Sequence, residues 1–167
     1  AVFDRIQVPD FMQKVRLDYL GAPGPWDMDS MGFELVRLIE GLGDVPVILA
    51  GYSAGGVLAI SAASKAPERI AGLALSNTGP CAIGHGDPDL PKRIEEQWFS
   101  MELFEPFLTR CFSRPVDPAL REKMLEYAKT VDKEAVYQSS KTLREHDLRP
   151  GLPKITCPVV IAHGSLD

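Results

Sequence analysis

The sequence predicts an α/β fold, in which a parallel sheet of about four strands is covered by helices and interrupted by a helical insertion. Three observations indicate this fold. Short apolar runs rich in β-branched residues recur along the chain, helical patterns follow the first two runs, and the long stretch before the last run begins with a loop and is then mainly helical. Because strands that alternate with helices are joined by right-handed crossovers, the strands are expected to be parallel.

Two strand–helix pairs and a third strand account for the first half of the chain. The strands are predicted at 14–20, 46–52 and 70–77, and the helices at 31–43 and 54–65. In the first helix, apolar residues at helical intervals are expected to face the core: Leu35, Leu38, Ile39 and Leu42. The turn GAPGP separates the first strand from this helix.

A mainly helical insertion at 80–153, called the lid below, separates an α/β core part at 1–79 from a last core segment at 154–167. In the lid, Asp117 before a proline and, further on, Asp132 are N-cap signals that predict two helix starts. The first of these helices is expected to bury an apolar stripe: Leu120, Met124, Leu125 and Tyr127 or Ala128. The last core segment is predicted to contain a fourth strand, Pro158 to Ala162.

Composition limits the partners that this chain is expected to have. The 167 residues carry a net charge of -5, and the pI is near 5.2. With no basic cluster to neutralise phosphates, neither a nucleic acid nor an anionic membrane is an expected partner, and no apolar run has the length needed to span a bilayer. The three scattered cysteines lack metal-ligand spacing and are expected to be reduced thiols, which suits a cytoplasmic protein.

The strongest functional signal is the segment PVILAGYSAGGVLAI at 46–60. An apolar strand ends at Gly51, Ser53 lies between Gly51 and Gly55 in the pattern GxSxG, and a helical pattern follows at once. In a nucleophile elbow this turn strains the serine backbone, and small residues let strand and helix pass closely. We therefore expect Gly51 and Gly55, with Gly56 beside them, to be elbow glycines and the Ser53 hydroxyl to be exposed. The alternative is a glycine-rich turn that contains a serine by chance.

Four segments together make the sequence resemble the α/β-hydrolase family over nearly its whole length. They are LDYLGAPG at 17–24, GYSAGG at 51–56, PERIAGLALSN at 67–77 and HGSLD at 163–167. Within that family, LSNTG at 75–79 and the lid segments RIEEQW and LTRCFS are most similar to the 3-oxoadipate enol-lactone hydrolase and related esterase group. The resemblance implies a small-molecule ester or lactone substrate and no cofactor.

The resemblance also implies residue roles. Ser53 would be the nucleophile, the backbone amide of Ala54 would contribute to the oxyanion hole, and Asp167 would be the acid that orients a histidine. In the family the histidine follows the acid, and a loop before the first predicted strand supplies the second oxyanion amide. We therefore expect an internal fragment, inactive alone, that lacks N-terminal strands and a C-terminal strand and helix. The missing sheet neighbour predicts marginal stability or aggregation.

Other candidate residues have both a functional and a structural interpretation. Tyr52, beside the nucleophile, and Trp98, in the lid, are candidates for the substrate pocket, although an aromatic lid residue also suits an ordinary core. Asp18 is expected to accept hydrogen bonds in the turn before Gly21 rather than to act as an acid. The three histidines are interpreted as structural, and their spacing predicts no metal site.

Two other classes of function stay open at this point. The same fold occurs in non-catalytic binding proteins, and the same serine turn supports carbon–carbon bond hydrolysis and cofactor-free haloperoxidase chemistry. The fold cannot decide among them, because function depends on the site. Asn77 and Thr78, which end the third predicted strand, are interpreted as turn-forming residues.

Overall fold

The computed structural model describes residues 3, 6–110, 112 and 114–165. Within these ranges the sheet has three parallel strands in the order β1-β2-β3. Their bounds are Val47–Tyr52 for β1, Ile70–Ser76 for β2 and Val159–Ala162 for β3. The α/β class, the parallel direction of the strands and the helical insertion between β2 and β3 confirm the prediction.

Six α-helices lie within the described ranges. They are α1 (Met28–Gly41), α2 (Ala54–Lys65), α3 (Leu90–Gln97), α4 (Met101–Arg110), α5 (Pro118–Thr130) and α6 (Lys133–Glu145), and short 3₁₀ helices occupy Pro67–Arg69 and Arg149–Lys154. Helices α3 to α6 form the insertion. The predicted N-caps are confirmed, since the Asp117 carboxylate accepts from the Leu120 amide at 3.0 Å and that of Asp132 accepts from the Glu134 amide at 2.7 Å.

The two faces of the sheet differ in their exposure. Leu73 and Leu75 on β2 are 3% and 8% exposed, and they lie in the core with residues of α1 and α2. Side chains alternate between faces along a strand, so Ile48 and Val160 lie on the opposite face, where they are 53% and 67% exposed. The described part of the chain therefore covers β1 and β2 with helices on one face and leaves apolar side chains exposed on the other, whereas β3 is exposed on both faces, with Ile161 70% exposed.

The prediction of a strand at 14–20 is wrong, because this segment is irregular in the structure. Val15 and Leu17 are 62% and 55% exposed. A strand exists only where its backbone pairs with a neighbour, and no described strand lies beside this segment. The segment is instead attached at its end, where Tyr19 packs against the core and Asp18 accepts from the Gly21 amide at 3.2 Å, as predicted.

Two predicted buried stripes are also partly wrong. Leu38 on α1 and Leu42, directly after its end, are 48% and 52% exposed, because α1 turns a different face to α2. That face includes Gly32, where an added Cβ would lie 2.6 Å from the Ser61 hydroxyl oxygen, and such close packing sets the rotation of the helix. On α5, Leu120 and Tyr127 are 42% and 46% exposed, and no residue of this helix is fully buried.

Candidate active site

Ser53 occupies a sharp turn between strand β1 and helix α2. Its backbone has φ 51° and ψ -124°, and its side chain is exposed. A positive φ is uncommon for a non-glycine residue, and such conformations cost on the order of 1–3 kcal/mol. The turn is attached to the sheet, since the Ser53 amide donates to the Ser76 carbonyl at 3.1 Å. The hydroxyl is thus presented at the carboxyl edge of the parallel sheet.

Two glycines permit the close approach of β1 and α2. A Cβ added at Gly51 would lie 2.5 Å from the Gly55 carbonyl oxygen, and one added at Gly56 would lie 2.3 Å from the Thr78 methyl carbon. Real Cβ atoms do not make such contacts. At Gly55 an added Cβ meets no described heavy atom within 4 Å, so the predicted steric need for glycine there is wrong for the part of the chain that the structure covers. The residue of α2 whose Cα lies closest to a Cβ added at Gly51 of β1 is Gly56, one position after Gly55.

The carbonyl oxygen of Ser53 is held by three donors. The amides of Gly56 and Val57 donate to it at 2.9 and 3.3 Å, as expected at the start of a helix. The third donor is the Thr78 hydroxyl, at 2.8 Å. Thr78 follows strand β2, so this side chain joins the turn at Ser53 to the neighbouring strand. The sequence predicted only a turn at Thr78, because this contact spans 25 residues of chain.

Asn77 makes the corresponding contact on the other side of β2. Its amide donates to the Ala162 carbonyl at 3.0 Å, and its side-chain oxygen accepts from the Gly164 amide at 3.0 Å. Its φ is 46°, in the left-handed region that asparagine tolerates better than most residues. Asn77 therefore attaches the turn that follows β3. The predicted acid Asp167 lies three residues beyond Gly164 and outside the described residues.

The histidines do not contact Ser53. No hydrogen bond joins an imidazole to the Ser53 hydroxyl within the described ranges. His85 and His163 are exposed, and His146 follows helix α6 with its Nε2 3.7 Å from a carboxylate oxygen of Asp29. Among the described residues, no three side chains of histidine, cysteine, aspartate or glutamate are grouped so that they could hold a metal ion.

A cleft of about 430 Å³ lies in the lid, between α4 and α5. Its apolar lining includes Phe99, Met101, Phe104 and Leu125, whereas Ser53 and Tyr52 do not line it. Trp98 packs edge-on against Phe99 at a ring-centroid distance of 5.6 Å, and it lies 5.8 Å from Phe104. The structure thus places Trp98 behind the wall of the lid cleft. Tyr52 ends strand β1 directly before the turn.

Hydrogen bonds join the lid to the core near the start of α1. On α6, the Gln138 side chain accepts from the Trp26 amide at 3.2 Å, and the Thr142 hydroxyl accepts from the Met28 amide at 3.0 Å. On α5, the Tyr127 hydroxyl donates to Asp18 at 2.7 Å. Partial burial and this hydrogen bond raise the pKa of Tyr127 above its usual value. Lid helices therefore stabilise the entry to α1.

These features match a known family. The model of the alpha/beta hydrolase fold family matches residues 21–167, which is most of the chain. The chain belongs to this family. No helix within the described ranges combines the length and the apolar character that crossing a membrane requires.

Individual proteins with similar sequences include two named as hydrolases of esters or lipids. A pimeloyl-[acyl-carrier protein] methyl ester esterase of Shewanella woodyi is 28% identical over an alignment of 173 positions, which covers 93% of this chain and 67% of that protein. Lipase LipV of Mycobacterium tuberculosis is 33% identical over 70 residues, which are 42% of this chain and 26% of the lipase.

Solved structures show the same fold. An esterase from Exiguobacterium antarcticum superposes with a TM-score of 0.73 at 24% identity, over 85% of this chain and 57% of that one. An enol-lactonase from Burkholderia xenovorans superposes with a TM-score of 0.62 at 22% identity, over 86% of this chain and 57% of that one. The chain therefore spans a little over half the length of these two structures.

Proposed function

We propose that the protein is a serine hydrolase that cleaves small carboxylic esters or lactones by acyl transfer. The observation that carries this proposal is the exposed Ser53 in a strained turn between a parallel strand and a helix. Membership of the α/β-hydrolase family supports it, as do the names of similar proteins, which include esterases and an enol-lactonase.

In the proposed reaction, the Ser53 hydroxyl passes its proton to the general base and attacks the carbonyl carbon of the substrate to form a tetrahedral intermediate. The intermediate collapses with cleavage of the C–O bond of the ester, and the alcohol takes the proton from the base. This alcohol leaves, or stays attached to the acyl group when the substrate is a lactone, and an acyl-serine ester remains. The oxyanion of the tetrahedral intermediate accepts a hydrogen bond from the Ala54 amide, the first amide of helix α2. The partial positive charge at the start of a helix also favours an anion there. Asp167 is proposed to orient the general base, and water then cleaves the acyl-serine ester and releases the acid.

We assign the general base to a histidine outside these 167 residues, since no described imidazole bonds to the Ser53 hydroxyl. A serine hydroxyl is a weak nucleophile until a base accepts its proton, and loss of a triad base lowers turnover by about 10⁶-fold in a well-measured case. The polypeptide of residues 1–167 is therefore expected to be inactive on its own.

A fluorophosphonate probe tests the nucleophile, because it forms a stable bond with an activated serine. We expect the full-length gene product to be labelled and to hydrolyse p-nitrophenyl esters or lactones. Ser53→Ala should abolish both signals, and Ser64→Ala, a control on the same helix α2, should keep them. Labelling that persists in Ser53→Ala contradicts the assignment of the nucleophile. A full-length protein without labelling or hydrolysis favours a non-catalytic binding protein.

A further inference from the structure

From the contacts of Thr78 we infer that this residue is a positioning residue, which orients the Ala54 amide toward the oxyanion. This inference rests on the proposed hydrolase function and extends it to a residue that does not itself contact the reacting atoms. Its basis is the hydrogen bond of 2.8 Å that the Thr78 hydroxyl donates to the Ser53 carbonyl oxygen.

The planarity of the peptide bond transmits this contact to the oxyanion hole. The carbonyl of Ser53 and the amide of Ala54 belong to one peptide unit, and in a trans peptide they point in opposite directions. A donor that fixes the carbonyl therefore fixes the direction of the N–H group on the other side. An oxyanion hole depends on donors that are oriented before the reaction, so a small rotation of this plane lowers transition-state stabilisation.

The amides of helix α2 fix the peptide plane between Ser53 and Ala54 relative to the helix, but not relative to the sheet. The Gly56 and Val57 amides reach the Ser53 carbonyl at 2.9 and 3.3 Å, both from the C-terminal side of the turn. Thr78 approaches from strand β2, which is hydrogen-bonded to β1 and to β3. Its hydroxyl therefore orients the peptide plane relative to the sheet, which the two helix amides cannot do.

The side chain of Thr78 is itself held in place. Its Cβ and Cγ2 atoms occupy the space beside Gly56, where an added Cβ would lie 2.6 and 2.3 Å from them. The preceding residue, Asn77, is tied to the turn after β3 through the Gly164 amide at 3.0 Å. Threonine at position 78 thus fills the space beside the glycine with its methyl group and places its hydroxyl on the Ser53 carbonyl.

The test compares Thr78→Val with Thr78→Ser in the full-length gene product. Valine keeps the shape and removes the hydroxyl, whereas serine keeps the hydroxyl. Since the oxyanion forms only in the transition state, we expect Thr78→Val to lower kcat about 10-fold with KM nearly unchanged. The affinity for a boronic acid, which mimics the tetrahedral intermediate, should fall by a similar factor. Thr78→Ser should keep most of the activity.

Thr142→Val in the lid is the matched control, because it also removes a threonine hydroxyl that bonds to a backbone group. It should lower stability and leave kcat unchanged. If the wild-type protein hydrolyses esters and Thr78→Val keeps the wild-type kcat and boronic acid affinity, the role of Thr78 is overturned. If the wild-type protein shows no hydrolysis and no fluorophosphonate labelling, the proposed function itself fails.

Discussion

Ser53 is exposed because strand β1 and helix α2 approach each other closely on either side of it. At Gly51, the space that a side chain would need is filled by backbone atoms of Gly55 and Gly56, none farther than 2.7 Å from an added Cβ. At Gly56, the corresponding space is filled by the side chain of Thr78. Backbone atoms of a packed helix move less readily than a side chain, so the two glycines differ in how much they tolerate substitution.

Alanine at these glycines tests this difference. We expect Gly51→Ala to lower the free energy of unfolding by at least about 3 kcal/mol, because the clash is with backbone, and Gly56→Ala by about 1–3 kcal/mol. Gly55→Ala is the matched control, and alanine's higher helix propensity should make its effect neutral or stabilising by up to about 1 kcal/mol. Urea unfolding of the full-length gene product measures all three. Equal losses at Gly51 and Gly55 would contradict the close approach described here.

At the scale of elements, the lid completes the start of helix α1. The Asp27 carboxylate caps this helix by accepting from the Ser30 amide at 2.9 Å, and hydrogen bonds from Ser30 hold the pKa of Asp27 below its usual value. The Met28 amide finds its acceptor on lid helix α6, at Thr142. Because Met28 is fully buried, water cannot replace that acceptor.

Thr142→Val therefore leaves a buried amide without a partner. We expect the free energy of unfolding to fall by about 1–3 kcal/mol, the usual cost of an unsatisfied buried donor. Thr142→Ser keeps the hydroxyl and should cost clearly less. Chemical denaturation of the full-length variants measures the difference. Equal stability of the valine and serine variants would show that the hydrogen bond to Met28 contributes nothing.

The contact between Tyr127 and Asp18 predicts a dependence on alkaline pH. An unfolded tyrosine has a pKa of about 10, and the pKa of Tyr127 is raised in the folded protein. The stability that this contact contributes is therefore fully present below about pH 10 and is lost as the pH rises through the folded pKa. Tyr127→Phe should make the loss of stability above pH 10 shallower, with the remaining slope due in part to Tyr19, a partly buried residue whose pKa is also raised. Identical slopes would contradict this role of Tyr127.

The sequence predicted those elements whose signals act locally. Strand β1, the turn at Ser53, helix α2 and the caps at Asp117 and Asp132 depend on residues within a few positions of one another. The prediction of a strand at 14–20 was wrong because a strand also needs an adjacent strand with which its backbone can pair. The expected burial of Leu38 was wrong because the rotation of α1 depends on its packing against α2. The hydrogen bond from Thr78 to the Ser53 carbonyl was missed because the two residues are distant in sequence.

For the whole molecule, the surface area is large for the mass. The chain exposes 10,938 Å². A folded monomer of 18.3 kDa would be expected to expose about 8,100 Å². Part of the excess surface area comes from the uncovered face of the sheet, where Ile48 and Val160 are more than half exposed. Parallel sheets are normally covered on both faces, so this face favours association.

We expect the isolated polypeptide of residues 1–167 to self-associate and to bind a hydrophobic dye such as ANS. Ile48→Thr combined with Val160→Thr should reduce both signals, because the substitutions make the exposed face more polar. Phe11→Ser is the control, since Phe11 is 85% exposed but lies outside the sheet. Light scattering after size exclusion measures the assembly state. Monomeric material that unfolds in one cooperative transition would contradict this prediction.

The two side chains that α6 offers to the backbone at Trp26 and Met28 have a practical consequence for engineering. A chimera that grafts the lid of another family member onto this core would remove two acceptors from the backbone at the start of α1, those of the Trp26 and Met28 amides. Grafts that carry a glutamine and a threonine at the equivalent places should keep the thermal midpoint of the parent. Grafts chosen without regard to these two positions would begin from a weakened scaffold.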